Sequence, residues 1–547
     1  MTPPADRILT NAEVHTLAPD GGEPAGRASS NVSDGDTVHE AVAVRDGRVV
    51  RVGSAYEVAF LRGVETTVHD CGGRVVLPGF VDAHTHLDMV GRYLVHAALG
   101  DATGPADAIE RLVEGARAPE ESEWILGFGY DESTWDDARY LTREDLDRVS
   151  EERPVAAFRE DVHTVSLNGV ALARLGDDIA DENLRRAGGE PTGVAVEGAV
   201  GTVLDATRGD QPECELLRAA SDRAAELGIT AVGDMVRDRR VPRAYRDLAR
   251  DGELGLRVRL NYWTDFLDAL EGAGLRTDDG DDLVRVGAVK SYTDGSLGAR
   301  TARLSEPYAD ADTAGTGDGP EDGGAGSGDG EEARGQWVVT PDELREYVER
   351  ADALGLQFCA HAIGDEAIAA TLDAYAETDA AAARHRVEHA EVLTGDLVER
   401  FAEVGAVASV QPNFLKWARE GGLYESRLGR ERTRASNRYA ALREAGVPLA
   451  FGSDTMPLGP LFGVQQAVTA PAEAQRLDVT DALRAYTRGA AYALRDEDRF
   501  GVVEPGKQAD LVVLDESPWN VAPDAIADID VAATLVGGEL TYRGSDF

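Results

Sequence analysis

Eight apolar, strand-like runs lie between residues 75 and 495, and amphipathic helical patterns separate them. The runs are VVLPGFVDAH from residue 75, ITAVGDM from 229, RVRLNYW from 257, LVRVGAVK from 283, LQFCAHA from 356, RHRVEHA from 384, AVASVQP from 406 and VPLAFGSD from 447. Strands that alternate with helices predict a parallel sheet covered by helices. Eight such units predict an α/β fold of the (β/α)8 TIM-barrel type, in which catalytic residues lie at the carboxyl ends of the strands.

Short alternating apolar runs near both ends of the chain predict a second, smaller domain. These runs fall within residues 6–77 and within residues 508–543. Neither group is long enough to bury a core alone, so both are expected to pair into one β-sandwich. We therefore predict a sandwich domain of residues 1–74 plus 500–547 beside a barrel domain of residues 75–499.

Two segments of the barrel region do not fit the regular alternation. Residues from about 92 to 228 are too many for one helix and its turns, which predicts an inserted subdomain over the barrel mouth. Residues from about 309 to 334 are almost wholly Ala, Gly, Asp, Glu, Thr, Ser and Pro. Such a segment cannot bury enough apolar area to order itself, so we predict a disordered acidic loop.

The chain is strongly acidic, with 100 Asp and Glu against 55 Lys and Arg and a formal charge of −45. A surface of that sign repels nucleic acid and anionic membranes, which argues against both as partners. An Asp-rich surface stays hydrated in concentrated salt, where self-repulsion is screened, so we expect a halophilic, cytoplasmic setting. The amino-terminal residues show no basic start followed by an apolar run, and no apolar run is long enough for a membrane helix, so we expect a soluble protein without a recognisable export signal.

Side chains that can bind a metal gather at the ends of the predicted strands. The set is His84, His86, Lys290, His361, His389 and Asp454. His84 and His86 lie two residues apart, so their imidazoles share one face of a strand. Imidazole is a common zinc ligand, and although each residue alone could be an ordinary core group, their convergence on one rim favours a metal site. We predict one or two divalent ions there, with zinc as the first choice.

Asp454 and Lys290 have further chemical roles in this hypothesis. A carboxylate beside a metal can accept a proton from water and return it to a leaving group, whereas the ordinary role of such an Asp is a turn or helix cap. An ammonium beside a cation is unfavourable, so the pKa of Lys290 would fall. The neutral amine can react with carbon dioxide to give a carbamate that binds metal. The alternative is a lysine that binds substrate or a carboxylate.

Several motifs together resemble the amidohydrolase superfamily. They are LPGFVDAHTHLD, KSYTDGSLGARTA, HAIGDEA, RVEHAE, QPNF, FGSDTMP and the late GVVEPGKQADLVVLD segment. The likeness is to its YtcJ-like branch (amidohydrolase family 3), which includes N-substituted formamide deformylases, and it extends from about residue 40 to the carboxyl terminus. It implies that the four histidines are metal ligands, that Lys290 is a carboxylated bridging lysine and that Asp454 is a ligand and the general base.

The same resemblance implies candidate substrate contacts. GFGYDESTW and DVHTVSLN belong to the insertion that contributes to the substrate pocket in that branch, which makes Trp135 and His163 candidates. Asp294 and Arg300 follow Lys290 in TDGSLGAR, where they could orient the lysine, bind substrate or pair within a loop.

These observations predict an enzyme that hydrolyses a non-peptide C–N bond of a small-molecule amide, such as an N-substituted formamide, with metal-activated water. Deamination of a ring on the same scaffold is the first alternative, and the intact Lys290 disfavours it. A catalytically inactive binding barrel is the second, because a fold alone does not guarantee activity. A homodimer is compatible with either hypothesis.

Overall fold

The computed structural model describes residues 3–18, 38–115, 123–160, 162, 164–196, 198–207, 212–311 and 332–547. The chain forms two compact units. The first comprises Met1–His86, Ser221–Pro242 and Ala249–Phe547, and the second comprises Leu87–Ala220 and Arg243–Leu248. The predicted acidic loop falls mostly on residues 312–331, which lie outside the described residues. No helix within the described ranges is long and apolar enough to cross a membrane.

Eight parallel strands form the sheet of the first unit and confirm the predicted barrel. They pair in chain order, each with its neighbours along the sequence. Their bounds are β1 Phe80–Thr85, β2 Ile229–Val236, β3 Arg257–Trp263, β4 Val284–Tyr292, β5 Gln357–Ala362, β6 Arg386–His389, β7 Val407–Val410 and β8 Leu449–Phe451. Strands β1, β2, β3, β5, β6 and β7 are buried along their whole length, as expected where helices cover one face and side chains fill the barrel.

The first predicted strand, VVLPGFVDAH, is two strands rather than one. Val75–Pro78 belongs to another sheet, and β1 begins at Phe80. The N–H of Gly79 donates to Asp510 O at 2.9 Å, whereas the next N–H, of Phe80, donates to Gly228 O at 2.9 Å. A Cβ atom on Gly79 would lie 2.2 Å from the side chain of Thr230, so only glycine allows the backbone to pass this close to β2.

The first and last barrel strands meet through the backbone that follows β8. The N–H of Asp454 donates to His84 O at 2.8 Å, and the N–H of Ser453 donates to Asp82 Oδ1 at 3.0 Å. A Cβ atom on Gly452 would lie 2.6 Å from His84 N, which explains the glycine at this closure. The closure therefore fixes Asp454 against the end of β1.

A second sheet joins strands from both ends of the chain. Its strands, in spatial order, are Glu539–Arg543, Val531–Val536, Leu511–Leu514, Val75–Pro78, Ala5–His15, Val38–Arg45 and Arg48–Gly53, and Arg62–Asp70 also pairs with Ala5–His15. A buried ion pair ties this sheet to the barrel, because Arg257 Nε of β3 lies 2.6 Å from Asp510 Oδ2.

Helices surround the barrel strands in the first unit. Some begin with a side-chain cap; for example, Thr340 accepts from the N–H of Glu343 and Pro341 occupies the first turn. The longer α-helices that lie wholly within this unit are Leu267–Ala273, Pro341–Ala353, Asp365–Tyr375, Gly395–Val404, Leu423–Ala435, Tyr439–Glu444, Pro460–Val468 and Val479–Arg484, whereas Glu213–Glu226 and Val241–Asp251 are divided between the two units.

The second unit is the subdomain inserted after β1. Its sheet has the order Leu184–Ala187, Glu190–Val196, Thr164–Leu167, Val155–Arg159, Ile125–Tyr130 and Ala97–Ala98. Its helices include Leu87–Val95, Pro105–Gly115, Arg143–Asp147, Gly169–Leu175 and Gly198–Thr207.

Candidate metal centre

Three predicted ligands from the two ends of the barrel sheet come together. Candidate ligand atoms of His84, His86 and Asp454 all lie within 4.8 Å of one another. Asp454 Oδ1 is 3.2 Å from His86 Nε2 and 3.5 Å from His84 Nε2. Asp454 adopts φ of 50°, a left-handed conformation that Asp and Asn tolerate better than other non-glycine residues. The turn after β8 thus aims a carboxylate at the imidazole of His84 in β1 and at that of His86, which directly follows β1.

The other two predicted histidines continue this cluster. The ring centroids of His361 and His389 are 4.4 Å apart, and those of His389 and His84 are 5.0 Å apart. His389 is buried, and within the described part of the chain its Nδ1 atom has no hydrogen-bond partner. A buried ring nitrogen without a partner is costly unless something binds it, so this atom fits a metal ligand.

Burial keeps the imidazoles neutral. Burial, with the nearby Lys290 charge, lowers the pKa of His361 to about 3 and also lowers the pKa of His84. Burial and the neighbouring His361 lower the pKa of His389 well below its ordinary value. Neutral imidazole is the form that binds metal, so these three rings are ready to act as ligands at neutral pH.

Lys290 is almost fully buried beside these groups. Burial lowers its pKa below 10.5, and the carboxylates of Glu388 and Asp454 oppose only part of that shift. Its Nζ atom lies 5.9 Å from the ring centroids of both Trp263 and Tyr292. The lysine is therefore more readily neutral than a surface lysine, as the carbamate hypothesis requires.

Glu388 supports the cluster and was missed by the sequence analysis. Its Oε2 atom accepts from His84 Nδ1 at 2.7 Å, which leaves His84 Nε2 facing Asp454. Burial would raise the pKa of Glu388, but the charge of Arg386 and the hydrogen bond from His84 outweigh it and lower the pKa to about 2. Side chains alternate between the two faces of a strand, so Glu388 lies on the same face of β6 as Arg386. This pair of opposite charges within an apolar run, RVEH, was the sequence signal that could have identified Glu388.

Asp294 holds the loop that follows β4 against the end of β5. Its carboxylate accepts from the backbone N–H groups of Ile363, Gly364 and Arg303 at 2.8 to 3.0 Å. The adjacent Gly295 carbonyl accepts from His361 Nε2 at 3.0 Å. Asp294 therefore positions the turn on which the orientation of His361 depends.

The remaining predicted substrate contacts lie in three different settings. Arg300 pairs with Asp310, with Nη2 to Oδ2 at 2.9 Å, and so forms an ion pair within its loop. Trp135 is buried in the core of the second unit and donates its indole N–H to Ala102 O at 2.7 Å. His163 lies outside the described residues. Substrate binding by these three residues stays a prediction.

The model of the amidohydrolase family matches residues 67–542, which include every member of the cluster. The chain belongs to the amidohydrolase family. Its sequence is 30% identical to the YtcJ protein of Bacillus subtilis (strain 168) over 545 residues, covering 94% of this chain and 98% of that protein. It is 25% identical to the N-substituted formamide deformylase of Arthrobacter pascens, with 99% of each chain covered.

A solved structure of a hydrolase is similar to this amidohydrolase over most of the chain. It is an uncharacterized metal-dependent hydrolase from Pyrococcus furiosus, with a TM-score of 0.73 and 28% sequence identity over 94% of this chain and 99% of that chain. Family membership and the cluster of four histidines with Asp454 and Lys290 make the protein a metal-dependent amidohydrolase. The residues fit a divalent metal, because neutral ring nitrogens and a carboxylate approach one another and one buried nitrogen has no described partner.

Removing two ligands of the amidohydrolase is expected to abolish metal binding. The double variant His84→Ala, His86→Ala should retain little metal, because too few donors remain for a closed shell. Metal content per chain is measured by elemental analysis after purification. His39→Ala, in the terminal sheet, is the matched control and should keep wild-type metal content. Full metal retention in the double variant would contradict the site.

Proposed function

We propose that this amidohydrolase hydrolyses a non-peptide amide, with an N-substituted formamide as the leading class, and that its metal is one or two zinc ions. The observation that carries the proposal is the approach of Asp454 Oδ1 to the imidazoles of His84 and His86, at 3.5 and 3.2 Å. Likeness to an N-substituted formamide deformylase supports the choice of a formamide. Zinc is proposed because the donors are mainly imidazole nitrogens.

The four histidines and Asp454 would hold the metal. Bound there, a divalent metal polarises the amide carbonyl and lowers the pKa of water. Asp454 accepts the proton of the attacking water and returns it to the leaving nitrogen, so that the C–N bond breaks as a C–O bond forms and the products are a carboxylic acid and an amine. Glu388 holds His84 in one tautomer throughout.

Lys290 joins the site as a carbamate in this proposal. The lone pair of its neutral Nζ attacks the carbon of carbon dioxide, an N–C bond forms as one C=O π bond breaks onto oxygen, and Nζ releases one proton to solvent. The product carries a negative charge in place of the ammonium, which removes the repulsion between a buried cation and a metal ion. The lowered pKa of Lys290 supports this step, because the attack requires the unprotonated amine.

A substrate panel tests the proposed function. Purified, metal-loaded protein should release amine and formate or another carboxylate from N-formyl and N-acyl amines in concentrated salt, and a chelator should stop the release. Release of ammonia from amino-substituted rings, without hydrolysis of any amide, would favour the deaminase alternative. Absence of turnover with every substrate, in protein that contains metal, would favour an inactive binding barrel.

A further inference from the structure

Arg237 lies at the rim of the barrel, directly after β2, and its guanidinium covers two aromatic rings. Its Cζ atom is 4.0 Å from the ring centroid of Trp263 and 5.3 Å from that of Tyr292. Trp263 ends β3 and Tyr292 ends β4. The arginine is exposed, whereas Trp263 is buried. A guanidinium stacked on two rings is held in one orientation with its N–H edge free to bind.

The same two rings border the metal cluster. Trp263 is the register partner of Lys290, and Tyr292 is the register partner of His361. The Tyr292 and His361 rings are 4.8 Å apart, and Lys290 Nζ lies 5.9 Å from both aromatic rings. Trp263 and Tyr292 therefore contact both Arg237 and the cluster. A small molecule that reaches the metal with one end can reach Arg237 with the other.

Arg237 carries a positive charge at the rim of a strongly acidic chain. The chain has 100 acidic residues against 55 basic ones, and buried arginines of the barrel such as Arg257 and Arg259 pair with carboxylates. Among the described residues, no carboxylate lies within 4.0 Å of the Arg237 guanidinium. The indole N–H of Trp263 is also buried without an acceptor in the described part of the chain. The Arg237 guanidinium and the Trp263 indole N–H are thus two hydrogen-bond donors at one rim, and both could bind an acceptor on a small molecule.

We propose that Arg237 binds a carboxylate of the substrate, so that the amide hydrolysed here carries an acidic group. A guanidinium binds a carboxylate through two parallel hydrogen bonds, which fixes both the position and the angle of the bound molecule. The carboxylate anchors the far end of the substrate while its amide lies at Asp454. This proposal rests on the proposed amide hydrolysis, but its binding component can be measured without turnover.

The proposed role of Arg237 can be tested apart from the proposed amide hydrolysis by comparing the binding of a carboxylate with that of its neutral isostere. The probes are phenylacetate and the methyl ketone phenylacetone, which has no C–N bond to hydrolyse; both are titrated calorimetrically into metal-loaded wild type, Arg237→Met and Arg239→Met. Methionine keeps an unbranched, apolar side chain over the rings but removes the charge, and Arg239 is an exposed arginine two residues away. Loss of an ionic hydrogen-bonded contact should weaken phenylacetate binding by about 10-fold or more in Arg237→Met alone. Phenylacetone should bind all three proteins equally.

Equal binding of phenylacetate to wild type and to Arg237→Met would overturn the proposal, because the carboxylate would then be bound by the metal or another group. Arg237→Lys guards against a folding defect, since it keeps the charge and should fall between wild type and Arg237→Met. With N-formylphenylalanine and N-formyl-2-phenylethylamine as matched substrates, Arg237→Met should raise KM for the acid alone and leave kcat nearly unchanged. If no amide is hydrolysed at all, the proposed function fails while the binding result still decides the role of Arg237.

Discussion

Replacing Asp454 by asparagine is expected to lower turnover by about 10²-fold or more while most of the bound metal remains, which is the usual effect of losing a general base. Asparagine keeps the shape of the side chain and one carbonyl oxygen but cannot accept a proton near neutral pH. The backbone should not change, because asparagine tolerates the left-handed φ of 50° at this position. The N–H that donates to His84 O, and so closes the barrel, is also kept.

Metal content, kcat and the affinity for a non-reacting analogue separate the two roles of Asp454. The exposed Asp498 provides the control, and Asp498→Asn should match the wild type in all three measurements. Loss of metal to the extent seen in the His84→Ala, His86→Ala variant would make Asp454 chiefly a ligand. Near-normal turnover in Asp454→Asn would mean that the proton passes through a different group.

The barrel was predictable from the sequence, and so was the approach of the candidate ligands at its rim, because both follow from local periodicity. Most of the parallel strands are buried along their whole length and give short apolar runs, and a candidate ligand such as His361 or His389 marks the point where the run ends. Ligands at corresponding ends of such strands must converge once the sheet closes. No long-range information is needed beyond the count of eight units.

The break at Gly79 was not predictable in the same way. VVLPGFVDAH reads as one apolar run, and its division depends on which strands lie beside it. Gly79 bonds to Asp510 and Phe80 bonds to Gly228, residues far apart along the chain that only the folded structure brings together. The Pro-Gly pair was the one local signal of a break, but it does not identify the partners.

The groups around the ligands were harder to recognise than the ligands. Glu388 precedes His389 in the sequence, but alternation along β6 turns it to the face of Arg386, from where it reaches His84 on β1. Arg237 is one exposed arginine among many, and it is distinguished only by the two rings beneath it. Such roles depend on contacts between strands, which composition and spacing do not specify.

Replacing Lys290 by alanine is expected to lower turnover by about 10²- to 10³-fold, the usual cost of removing a group that stabilises charge at the reacting centre. Because Lys290 is almost fully buried, the substitution also leaves a space beside Glu388 and Asp454. Added acetate or propionate can enter that space and supply the anionic oxygens of the lost carbamate, so activity should partly return with increasing acid concentration. Chloride at equal ionic strength should not restore it.

Lys290→Met is the matched control, because its side chain fills most of the space and carries no charge. It should be as inactive as Lys290→Ala and should not respond to either acid. Wild-type protein loaded with metal in the presence of ¹³C-bicarbonate should show a carbamate carbon by NMR, and that signal should be absent from both variants. If Lys290 instead binds substrate as an ammonium, the opposite pattern is expected. The wild type would show no carbamate signal, and the acids would not restore activity to Lys290→Ala, because an added anion cannot replace a lost cation.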